Sequence, residues 1–103
     1  MREILIRPRA QLDLESIFVH IAMELGAPKA AQGIIDDLYD TFDRIAEMPT
    51  LGMLFSSDDL ERDYRRVLVK NYWAYYSFDD RSLTVWRIFH TRQDIDAFTL
   101  VEF

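Results

Sequence analysis

The apolar residues of this chain change their spacing midway, and that change limits the folds open to it. From Arg9 to Met48 they recur at helical intervals, and from Tyr64 onward they follow the two-residue repeat of a strand. Leu14, Ile17, Phe18, Ile21 and Leu25 are spaced 3, 1, 3 and 4 apart and form the stripe of one helix face, from about Arg9. Gly26 stands where a left-handed residue would stop that helix, and Pro28 where a second one would begin. Ala31, Ile34, Ile35, Leu38, Phe42, Ile45 and Ala46 make the second stripe, which Met48-Pro49 ends. Two stripes joined by so few residues predict an antiparallel helical hairpin. The second helix carries Asp36, Asp37, Asp40, Asp43 and Glu47 on its outer face, which reads as a solvated surface.

Aromatic and β-branched residues dominate the second half, as strands prefer. Tyr64–Val69, Tyr72–Phe78 and Leu83–His90 are predicted strands, with turns at Lys70-Asn71 and at Asp79-Asp80-Arg81-Ser82. Thr50–Glu61 reads as a loop. Arg2–Arg7 reads as a short first strand whose run Ile4, Leu5, Ile6 suits cover on both faces; its place in the sheet, edge or middle, stays open. The order β-α-α-β-β-β predicts an α+β domain, an antiparallel sheet packed against an N-terminal helical hairpin. With 103 residues and no linker or repeat, residues 1–103 form one domain.

Composition removes several classes of function. Without cysteine there are no disulfides, thiolate metal sites or cysteine nucleophiles. Two histidines seventy residues apart have no metal-ligand spacing, and the three glycines match no nucleotide-binding loop, so no cofactor is expected. No apolar run is long enough for a membrane span, and the expectation is a soluble, cytoplasmic protein. The net charge of −6 opposes generic nucleic-acid binding but conceals a division. Residues 1–61 carry five Lys/Arg and twelve Asp/Glu, whereas residues 62–92 carry seven Lys/Arg and three acids. Such asymmetry is read either as a face for an anionic or carboxylate-bearing partner or as ordinary solvated strand edges.

The chain opens with Arg7-Pro8-Arg9-Ala10, Asp13-Leu14 and Ile17, followed by Ala30-Ala31 and Met48-Pro49-Thr50-Leu51-Gly52. Tyr64-Arg65-Arg66-Val67-Leu68-Val69 comes next, then Tyr72 and Tyr75-Tyr76, and the run Val85-Trp86-Arg87-Ile88-Phe89-His90-Thr91-Arg92-Gln93-Asp94-Ile95 closes the series. Taken in order, these motifs resemble the ParE/RelE toxin superfamily of bacterial toxin–antitoxin modules, and more closely its ParE-like, plasmid-stabilisation branch. The family commonly places Arg directly after the Pro-x-x-Gly turn, where this chain has Met53.

The resemblance implies a toxin that inhibits DNA gyrase by binding, with no catalysis of its own, and that a cognate antitoxin, acidic to neutral, neutralises. Two alternatives go with it. One is a RelE-like, ribosome-dependent mRNA endoribonuclease, and the other is a non-toxic binding protein of the same fold, suggested by Met53 and the negative charge.

Metal-free RNA cleavage needs a group to move protons and a cation to hold the extra phosphate charge. Arg66, Arg87, His90 and Arg92 are the candidates, and with Arg65 they form the expected target-binding set. Strand alternation puts Arg87 and Phe89 on one face and Trp86, Ile88 and His90 on the other. Arg87 and His90 then act together only if the strand bends. Each also has a structural reading: His90 bonding the following turn, Arg92 pairing Asp94, Arg65-Arg66 guarding a strand edge, and a half-buried Arg87 requiring an acid. Tyr64, Tyr72, Tyr75 and Tyr76 either stack bases or pack the sheet, and His20 reads as a half-exposed helix residue. Leu14, Phe18, Ile21, Leu38 and Phe42 are the expected antitoxin-binding residues. The apolar tail Ile95, Phe98, Leu100, Val101 and Phe103 either packs back or docks on a partner.

Overall fold

Pro8 fixes its own φ and needs no backbone donor, so the chain turns directly from strand into helix there. In the computed structural model, which describes residues 1–55 and 62–93, strand β1 (Glu3–Ile6) leads straight into helix α1 (Pro8–Val19). A wider π turn, His20–Glu24, extends α1, and helix α2 (Pro28–Glu47) returns alongside it. Gly26 takes φ +64 at the reversal, as its position in the sequence predicts. Leu25, read as the last stripe residue, is exposed instead. The π turn adds a residue to the helical repeat and rotates Leu25 off the buried face.

A 3-10 turn (Pro49–Leu51) leads into strand β2 (Met53–Phe55), then come β3 (Tyr64–Val69), β4 (Tyr72–Phe78) and β5 (Ser82–His90). The segment read as loop from Thr50 therefore contains a short strand, pairing Met53 with Arg66 and Phe55 with Tyr64. Three residues are too few for a periodic pattern to register. The described residues form a five-stranded sheet in the order β1-β5-β4-β3-β2, with β1 parallel to β5 and the other pairs antiparallel. The α+β architecture of a sheet against a helical hairpin stands, but the sheet is mixed rather than antiparallel, because β1 lies at the edge alongside β5 and runs in the same direction.

β1 lies at the sheet edge, contrary to the reading of Ile4-Leu5-Ile6 as covered on both faces. Ile4 and Ile6 pack toward the helices, while Leu5 remains 43% exposed. The run is alternating burial with an apolar residue left on the uncovered side.

The helices cover one face only. Leu14, Ile17, Leu38, Phe42 and Ile45 meet Val69, Tyr72, Ala74, Tyr76, Leu83, Val85 and Ile88 in the main core. On the other face, Tyr64, Tyr75 and Phe89 form a second cluster with Phe55, Trp73 and Trp86. All four candidate stacking tyrosines are buried, which assigns them to packing. A β-bulge separates the two halves of β5, because Tyr76 pairs with Val85 whereas Tyr75 pairs with Arg87. The extra residue is Trp86. Simple alternation put Trp86 with Ile88, but the bulge lets Val85 and Ile88 share the helix side while Trp86 joins Phe89 opposite. Among the described residues, no helix is long and apolar enough to cross a membrane.

Candidate functional site

β1 ends opposite Val85, and the Arg7 N–H closes that ladder on the Val85 carbonyl, 3.0 Å away. Beyond this point no strand among the described residues pairs with β5 on that side, and a backbone donor there takes another acceptor. Asp13, one turn and a half into α1, supplies it. Its Oδ2 accepts the Ile88 N–H at 2.9 Å, and the carboxylate also accepts Arg87 Nε at 2.8 Å and Nη2 at 3.1 Å. Arg87 is thus held in a two-pronged pair that ties α1 to the sheet. The acid required by a half-buried arginine is Asp13. Arg87 also lies over the Phe89 ring, 4.4 Å from its centroid.

This junction borders a cavity of about 530 Å³ lined by Asp13, His20, Tyr72, Arg87, His90 and Arg92, among others. Arg87 and His90 thus line one cavity despite the alternation of β5, because Arg87 reaches round the open edge. His90 anchors the turn that follows: its N–H donates to Gln93 Oε1, and its Nδ1 accepts the Arg92 N–H at 3.1 Å. Its ring packs edge-on against Tyr72, whose phenol is pushed above its ordinary range by burial. His20 joins the same wall and pairs with Glu24 one turn away. Asp94, the acid read as a partner of Arg92, lies outside the described residues, as does the apolar tail from Ile95.

The other two expected target-binding residues lie elsewhere. Arg65 and Arg66, adjacent in β3, are paired with Tyr76 and Tyr75 of opposite sheet faces. Arg65 donates to the Gly52 carbonyl at 2.8 Å. Arg66 lies over Trp73 at 4.2 Å and Phe55 at 5.6 Å, and donates to the Tyr75 hydroxyl at 3.3 Å. The reading of these residues as guards of a sheet edge fails, because β2 covers β3. The loop before β2 is held by Tyr76, whose hydroxyl donates to the Pro49 carbonyl at 2.6 Å and accepts the Gly52 N–H at 2.9 Å. Burial raises the Tyr76 phenol above its usual range, opposed by the Gly52 hydrogen bond and the Arg65 charge.

Of the five expected antitoxin-binding residues, Leu38 and Phe42 are sealed between hairpin and sheet and offer no surface to a partner. Leu14 is also buried, though its edge lines a shallow groove of about 250 Å³ with Phe18, Val19, Ile35 and Tyr39. Phe18 and Ile21 remain half-buried. A helical stripe marks the face turned to the protein's own core first, and three of the five belong to it. Among the described residues, no group of three or more His, Asp or Glu could hold a metal ion.

A small α+β domain with a helical hairpin on one face of its sheet is a fold also found among solved structures. A chain described as belonging to the "Chromosomal ParDE TA system from P. aeruginosa" superposes with a TM-score of 0.70 at 17% identity, over 87% of this chain and 96% of that one. None of the curated proteins matches significantly. The family described as "ParE toxin of type II toxin-antitoxin system, parDE" matches residues 4–95. The chain belongs to this ParE toxin family.

Proposed function

We propose that this toxin acts by binding, with DNA gyrase as its target and a cognate antitoxin as its neutraliser. The observation that carries the binding reading is the engagement of Arg87. A phosphate clamp would need its guanidinium fork, and that fork is already closed on Asp13. His90 Nδ1 is likewise taken by the Arg92 N–H, and Arg66 is absent from the cavity lining. In this reading the four residues of the nuclease alternative do not act as one reaction centre. Arg66, His90 and Arg92 supply target contacts on the face and at the end of the sheet, and Arg87 holds that end in place through Asp13.

The hairpin groove of Leu14, Phe18, Val19, Ile35 and Tyr39, with Leu12 and Met23 exposed on the same helical segment, supports antitoxin docking there. An amphipathic segment fits such a groove. Confinement of the toxin to the cytoplasm belongs to the same proposal, since both partners would be met there.

One observation favours the RelE-like reading: Arg87, His90 and Arg92 line a single cavity. A supercoiling assay with purified protein separates the two. Accumulation of linear, gyrase-cleaved DNA is expected. No cleaved complex at large molar excess, together with cuts in ribosome-bound mRNA that Arg87→Ala abolishes without unfolding, would replace gyrase inhibition by the nuclease reading.

A further inference from the structure

The sheet face away from the helices combines rings and guanidinium groups in an arrangement that points to a particular partner chemistry. Trp86 lies under two arginines, Arg7 at 5.1 Å and Arg62 at 4.9 Å from its centroid, and its Nε1–H is spent on Ser77 Oγ at 2.8 Å. Trp73 lies under Arg66. Among the described residues, Arg7, Arg62 and Arg66 form no ion pair with a carboxylate. Stacking on a ring orients a planar guanidinium without neutralising it, so its charge stays available, with the donors that Arg66 does not give to the Tyr75 hydroxyl. Around them Met53 and Leu68 expose apolar surface, and their pairing partners Arg66 and Trp73 place them on this same face.

We infer that this face docks a polypeptide segment rich in Asp and Glu, whose carboxylates engage Arg7, Arg62 and Arg66 while its apolar side chains cover Met53 and Leu68. Carboxylate and phosphate both suit an arginine fork. The choice between them rests on the rings. A single-stranded nucleic acid gains much of its affinity by stacking bases on exposed aromatic faces, and here guanidinium groups already lie over both tryptophans. Tyr64, Tyr75 and Phe89, the other central rings of this face, are buried. The charge division agrees, with Asp36, Asp40, Asp43 and Glu47 on the exposed side of α2 and the unpaired arginines on the face the helices leave open. The inference concerns the chemistry of the partner and holds whether or not gyrase is the target.

Trp73 and Trp86 are the chain's two tryptophans and both belong to this face, so their emission reports occupancy directly. The full chain is titrated with oligoglutamate, oligoglutamine and oligothymidylate of equal length. Saturable change with oligoglutamate alone is expected, weakened about tenfold in Arg62→Gln and in Arg66→Gln for the loss of one charge-assisted contact each. Arg66→Lys should fall between, and Lys70→Ala, which removes equal charge at a turn near Asp37, should bind as the parent does. Far-UV circular dichroism checks that each variant is folded, and a misfolded Gln variant is replaced by the Lys one at the same position.

Oligothymidylate binding as tightly as oligoglutamate would overturn the inference in favour of nucleic acid. Equal binding of oligoglutamine, or an equal loss in Lys70→Ala, would remove the role of the stacked arginines. Absence of binding by all three would also refute it. Concentration-dependent self-association abolished by Arg66→Gln would assign the face to a second copy of the chain.

Discussion

Replacing Asp13 by Ala should destabilise the protein more than any exposed substitution, because three hydrogen bonds end on one carboxylate. Two come from Arg87 and one from the Ile88 backbone, at 2.8, 3.1 and 2.9 Å. Only 17% of the Asp13 side chain and 15% of that of Arg87 are exposed, so solvent screens the pair weakly. Breaking a fully buried pair costs ~3–5 kcal/mol, and the remaining exposure places this one at the lower bound, ~3 kcal/mol. With an unfolding entropy of about 2 cal/mol/K per residue, that loss lowers the midpoint of a domain this size by roughly 15 °C. Urea unfolding followed by tryptophan emission measures it. Asp13→Ala, Arg87→Ala and the double variant complete a cycle whose coupling should be ~1–3 kcal/mol. The double variant should be less damaged than the sum, since neither leaves the other's charge stranded. Coupling below ~0.5 kcal/mol, the usual scatter for independent sites, would refute the reasoning and release Arg87 for direct contact with a ligand.

Tyr76→Phe leaves the buried Gly52 N–H and Pro49 carbonyl without their hydroxyl partner and should cost ~2–4 kcal/mol by chemical denaturation. The same residue sets an alkaline limit. Its phenol is raised in the folded state, so its contribution is complete below the ordinary tyrosine range and is lost as pH rises toward the folded value, the unfolded chain ionising first. The Phe variant should lack that part of the alkaline slope. Gly52→Ala would put a Cβ 2.8 Å from the Arg66 carbonyl oxygen and against the Tyr76 hydroxyl, and should lower stability by ~1–3 kcal/mol in calorimetry. Met53→Arg, at a side chain 58% exposed on β2, should change stability by less than ~0.5 kcal/mol. If Met53 is what weakens the toxin, this variant should arrest growth where the parent does not, and equal growth of the two would discard the idea.

The helical hairpin and the three longer strands could be read directly because each repeats its period over several turns or pleats. β3 and β4 have the bounds that alternation predicts, and α2 starts at the proline and ends beside the next one. β2 could not be read, being shorter than any period can register. The π turn and the bulge at Trp86 were missed for a related reason: each adds a single residue to a repeat, which no average over a window detects. Of the site, the types Arg66, Arg87, His90 and Arg92 were visible, but not their separation. Neighbouring strand residues look equivalent in sequence, yet Arg65 and Arg66 serve opposite faces, and Arg87 is bound by an acid seventy-four positions away.

The linear pattern alone determined that this chain would form two amphipathic helices and a set of aromatic strands, since burial periodicity and chain-breaking prolines and glycines are local properties. Tertiary structure decided which apolar residues remained open to a partner. It also decided which arginines kept their charge unpaired. Both depend on which sheet face the hairpin covers and where β1 ends. The Asp13 carboxylate goes to Arg87 and Ile88 because the pairing of β1 with β5 ends at Val85 and leaves the Ile88 donor to it. Arg7, Arg62 and Arg66 are left over rings on the face the helices do not reach.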